Sequence, residues 1–146
     1  MKKNMNEEVE FLQFIYKNAE MGSIGIDSII SKVKDENLEK LLKNQKEEYN
    51  NICKEAENIL KKYGKSNEEV SAMAKISTTV MSEMAMLKDD SINNIAKMMV
   101  EGTNKGIIEI TEKLNAYNNT DAEIVVLANK LKTLEEKNIE ELKKYL

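Results

Sequence analysis

Histidine, arginine, tryptophan and proline are all absent from the 146 residues, and cysteine occurs once. Each absence excludes something. Without histidine the chain lacks the usual general base near neutral pH and the commonest nitrogen ligand for metals. Without arginine it cannot read phosphate or guanine through a bidentate fork. The net charge of −4 and the interspersed lysines likewise argue against a nucleic-acid surface. The lone Cys53 cannot form an intrachain disulfide, which suits a reducing compartment. With no histidine to activate it, Cys53 reads as a small, partly buried helix residue.

Long hydrophobic runs are missing too. No window approaches the ~18 consecutive apolar residues of a transmembrane helix. The opening "MKKNMNEEVEF" has two lysines, but acids follow and no apolar core does, so it does not read as a signal peptide. A cytoplasmic location is expected. Heavy use of Lys, Asn and Ile beside the missing Arg points to an A/T-rich bacterial genome. Asn118-Asn119-Thr120 reads as a loop leading into a helix cap, not as a glycosylation site.

What remains is helix-forming material. A chain without proline can run long helices unbroken. Hydrophobic content of 41% and charged content of 33% fit a strongly helical chain, and apolar residues do not alternate in strand fashion. The length suits one domain over residues 1–146 with a single core.

Five amphipathic segments follow from apolar spacing in steps of three and four. The first covers about residues 6–33, with the seam Val9, Leu12, Tyr16, Ala19, Ser23, Ile26, Ile30 and Val33. Asp35 is a candidate N-cap for the second, about 36–63, with Leu38, Leu42, Gln45, Tyr49, Ile52, Ala56, Ile59 and Tyr63 inward and Gly64 as its stop. Ser66 to Glu69 form a capping box for a third, about 67–88. The fourth, about 90–117, carries Ile92, Ile95, Met99, Gly102, Gly106, Ile110 and Leu114. A second capping box, Thr120 to Glu123, opens the fifth, about 121–146, with Ile124, Leu127, Leu131, Leu134, Asn138 and Leu142. Short links join one to two and four to five, giving two antiparallel hairpins. The third segment, roughly 33 Å at 1.5 Å per residue, is long enough to cross the bundle between them.

The hairpins also repeat. "EMGSIGIDSIISKV" (20–33) aligns without gaps with "EGTNKGIIEITEKL" (101–114), matching Glu20 to Glu101 and Gly25 to Gly106. Glu48-x-x-Asn51 and Glu135-x-x-Asn138 repeat in the second helix of each hairpin. This layout resembles the ferritin-like superfamily of four-helix bundles, and in particular its small bacterial members of unknown function. The resemblance covers nearly the whole chain and implies an all-α, ferritin-like four-helix bundle of two antiparallel hairpins joined by a helical crossover. In metal-binding members the first and third main helices each supply a Glu, and the second and fourth each supply Glu-x-x-His. The matching residues are Glu20, Glu48, Asn51, Glu101, Glu135 and Asn138. Asparagine stands at both histidine positions, so the resemblance implies a vestigial site. A working alternative would bind Fe or Mn through these oxygens.

Other features have plainer readings. Met73, Met81, Met84 and Met86 of the crossover, with Met98 and Met99, follow the helical period and suit a core or a contact face better than copper. Gly22, Gly25, Gly102 and Gly106 cost helix stability, and close helix approach explains them. No nucleophile–base set and no phosphate loop is present, so an enzyme is not expected. The expected role is non-catalytic: a structural, stress-related or partner-binding protein that needs no cofactor. Self-association or a protein partner would use the Met-rich crossover.

Overall fold

The computed structural model describes residues 5–73, 86–117 and 121–146. Its helices are α1 (Met5–Ile29), α2 (Glu36–Lys62), α3 (Asn67–Met73), α4 (Ile92–Ala116) and α5 (Ala122–Leu142). Short 3-10 turns, Ile30–Lys32 and Lys143–Tyr145, follow α1 and α5. No strand occurs among the described residues, and the protein is all-α.

The helix ends lie where local chemistry puts them. Asp35 accepts a hydrogen bond from the Leu38 amide at 2.8 Å and starts α2. Gly64, at φ +87°, ends it. The Lys65 amide then returns to the Leu60 carbonyl and the Gly64 amide to the Lys61 carbonyl, a Schellman closure that only glycine adopts without strain. The Ser66 hydroxyl accepts from the Glu69 amide at 3.1 Å and opens α3. Ser91 caps α4, which begins two residues past the expected start, and Asp121, the second residue of the expected capping box, caps α5, which begins one residue past its expected start. Residues 118–120 lie outside the described residues, as do residues 74–85 of the expected crossover with Met81 and Met84.

Contacts between helices give their directions. Asp27, Ser23 and Glu20 of α1 meet Lys46, Asn50 and Cys53 of α2 in turn, so the pair is antiparallel. Glu48, Glu55 and Lys62 of α2 pair with Lys137, Lys130 and Glu123 of α5 in reverse order, which makes α2 and α5 antiparallel as well. Asn18 and Glu10 of α1 meet Gly106 and the residue after α4, Tyr117, so α4 also opposes α1. Thus α1 and α5 run one way and α2 and α4 the other. Lys32 donates to the Leu87 carbonyl and Lys34 pairs with Asp90, which sets the start of α4 beside the α1–α2 turn. The chain therefore leaves α2 at one end of the helices and enters α4 at the other.

One continuous apolar cluster joins α1, α2, α4 and α5, with Val70 of α3 at its edge. The inward positions expected for α2 and α5 hold, except that Tyr63 is only partly buried. In α1 the buried face is wider than one seam, because the helix packs on α2, α4 and α5. Phe11, Ile15 and Ile29 are fully buried there as well. In α4 the seam needs correcting: Ile92 and Gly102 are exposed, and Thr103 takes the inward place instead. Among the described residues no helix is long and apolar enough to cross a membrane.

Candidate functional site

Midway along the packed helices, polar side chains replace apolar ones on the inward faces. Glu135 and Asn138 of α5 are 3% and 0% exposed, and Gln45 and Tyr49 of α2 are 1% and 2% exposed. Thr103 of α4 completes this layer, its hydroxyl donating to the Met99 carbonyl one turn back at 2.7 Å. Helical spacing explains why α5 turns its pair inward. Glu135 follows Leu131 by four residues and precedes Asn138 by three, so all three share a face.

Small residues make room for the larger polar ones. At Gly22 an added Cβ would lie 2.6 to 2.8 Å from the Tyr49 ring, and at Gly106 it would collide with the Glu135 carboxyl. The Asn18 side-chain amide donates to the Gly106 carbonyl at 3.1 Å and ties α1 to the same level of α4. Gln45 Nε2 donates to the main-chain carbonyl of Asn138 at 3.4 Å, linking α2 to α5.

The electrostatics of the layer favour neutral groups. Burial, and next the acidic neighbour Glu109, push the Glu135 carboxyl up to about 8. No ion pair to Glu135 forms among the described residues. Burial raises the Tyr49 phenol well above its usual range, the charge of Glu135 raises it further, and Asn138 and Thr103 partly oppose this. Tyr49 approaches the Asn138 side chain without completing a hydrogen bond, since both amide atoms of Asn138 and Glu135 Oε1 have no protein partner.

The six residues drawn from the sequence do not converge. Glu135 and Asn138 lie together inside. Glu48 sits on the flank of α2, with its side chain 38% exposed and 3.3 Å from Lys137. Asn51 and Glu101 are exposed on the outer faces, and Glu20 lies at the α1–α2 boundary, accepting from the Cys53 thiol at 3.5 Å. Burial, and then the nearby Glu20 carboxylate, hold that thiol far above its usual range, so Cys53 stays protonated and unreactive. A dinuclear metal centre does not fit this donor set. Among the described residues no three acidic or cysteine side chains gather as metal ligands. Gln45, Tyr49 and Thr103 belong to the layer although sequence reasoning did not place them in a site. The available signal was a Gln and a Tyr one turn apart in an otherwise apolar seam.

Gly25 and Gly102 differ from their neighbours, for a Cβ at either position would meet nothing within 4 Å. Close approach therefore accounts for Gly22 and Gly106 alone. Gly25→Ala and Gly102→Ala are each expected to raise stability by up to ~1 kcal/mol, the difference in helix propensity, as measured by urea unfolding. A loss of stability in both would show that these backbones approach something closely.

No curated protein and no solved structure matches the chain. The family model of a domain of unknown function, DUF2383, matches residues 7–116, from α1 to the end of α4, and leaves out α5 with Glu135 and Asn138. That match spans well over half of the sequence, and the chain belongs to the DUF2383 family.

Proposed function

We propose that this chain is a single-domain ferritin-like bundle without a dinuclear metal centre, serving a non-catalytic structural, stress-related or partner-binding role in a bacterial cytoplasm. The helix directions support the ferritin-like part, because two hairpins joined by a crossing segment have that arrangement. The observation that carries the functional part is the fate of the carboxylates. Glu48 is neutralised at the surface by Lys137, Glu101 faces out, and Glu135 is left inside with an amide, a phenol and a hydroxyl. Glu20, Glu48, Asn51, Glu101, Glu135 and Asn138 are then the remnant of a site. Contact with a partner, or with a second copy, would use the Met-rich crossover, at whose described end Met86 is 77% exposed.

Metal analysis of protein purified without chelator tests this reading. The expected result is far less than one equivalent of Fe or Mn per chain, unchanged by Glu48→Gln or Glu135→Gln. Stoichiometric metal that disappears in both variants would establish a carboxylate metal protein instead.

A further inference from the structure

The three unpartnered atoms of the layer are Glu135 Oε1, Asn138 Oδ1 and Asn138 Nδ2. Each such atom left unpaired costs about 1–3 kcal/mol, and folded proteins nearly always give them a protein or water partner. The two residues stand three apart on α5, so they open on the same part of the interior, facing Gln45 and Tyr49.

The kinds of atom left over select the occupant. Whichever way the Asn138 amide is turned, one end must donate and the other accept. A bare cation could serve the oxygens but would leave the NH2 group unpaired. An anion could serve the NH2 group but would meet the Glu135 carboxyl, with Glu109 beyond it. A neutral molecule that both donates and accepts can serve all three. The Tyr49 ring is packed against Gly22 and the Glu135 carboxyl against Gly106, so these two sides of the layer are closely filled, which favours the smallest such molecule, water.

We propose that Glu135 and Asn138 build an internal hydration site, in which water bridges the Glu135 carboxyl and the Asn138 amide. A buried water typically makes about three hydrogen bonds, which matches the three unpartnered atoms. Water then ties α5 to α2. This site does not depend on the ancestry of the fold.

Solution NMR of the full chain at neutral pH tests it. The Asn138 side-chain amide protons should show direct cross-relaxation to a water that outlives molecular tumbling. In Asn138→Leu, relaxation dispersion of the water signal should report the loss of that long-lived water. Should Asn138→Leu fail to fold, the cross-peak in the unaltered protein still decides. Two results would overturn the proposal: amide protons with cross-peaks to protein alone, or a crystal structure with Asn138 bonded directly to the Glu135 carboxyl.

Discussion

Glu135→Gln is expected to raise stability by only about 1 kcal/mol at pH 5 and by several kcal/mol at pH 8.5. Glu135 is raised from 4.5 to about 8 by burial and by Glu109, so the folded protein holds this proton more tightly than the unfolded chain does. Stability linked to that proton is fully present below about pH 4.5 and is lost as pH rises, until the folded group has also ionised near pH 8. Each tenfold difference in proton affinity between the two states is worth about 1.4 kcal/mol, so the whole loss is on the order of 5 kcal/mol. Glutamine has the same shape and never ionises, so the variant escapes the loss. Other carboxylates titrate alike in both proteins, and the difference between them isolates Glu135. Urea unfolding of both at intervals from pH 5 to 8.5 measures it. A difference that stays flat across this range would mean that Glu135 is already ionised in the folded protein, and hence paired with a positive charge.

Glu135 lies inward, as its place on the α5 seam implies, and the residues that depart from such a reading do so for physical reasons. Asp35, Gly64 and Ser66 mark helix ends through contacts with residues at most four away, so a local reading finds them. Leu131, Leu134, Asn138 and Leu142 repeat at the helical period on a helix with one inward face, and that face holds. Helix α1 departs because three neighbours, α2, α4 and α5, cover it, and periodicity does not reveal how many partners a helix has. In α4 the seam departs at Ile92, in the first turn, and at Gly102, where Thr103 faces inward instead, since a glycine offers no side chain to show which way the position faces.

The carboxylates show a sharper limit. Glu48 and Glu135 stand in matching Glu-x-x-Asn patterns, yet only the second turns inward. Rotation about the helix axis decides this. In α2 the inward place goes to Tyr49, the neighbour of Glu48, whose ring fills the space that Gly22 leaves. In α5 the matching neighbour, Glu136, is exposed, and Glu135 takes the space against Gly106. The repeat records a shared plan, while the glycine facing each helix records which side chain won the interior. That information lies on a different helix from the residue it governs. A pattern confined to one helix could not supply it.

The same packing makes Gly22→Ala the substitution with the clearest steric cost. Its Cβ would lie 2.6 Å from Tyr49 Cζ and 2.7 to 2.8 Å from the two flanking ring carbons, closer than carbon atoms come in real structures. The ring is only 2% exposed and sits beside Gln45 and Ile52 on the same face of α2, so it cannot swing away without disturbing the layer. Forcing an extra carbon into such a site typically costs about 1–3 kcal/mol, against which alanine returns up to ~1 kcal/mol of helix propensity. A net loss of about 1–2 kcal/mol follows. Removing the ring should reverse the sign. In a Tyr49→Ala background, itself expected to be several kcal/mol less stable, Gly22→Ala should stabilise by the helix propensity alone. Tyr49→Phe should not rescue it, because the clash involves ring carbons and not the hydroxyl. A double-mutant cycle by urea unfolding reads this coupling directly. Equal costs in both backgrounds would mean that α1 and Tyr49 are not in contact, and would remove the packing basis assigned to Gly22.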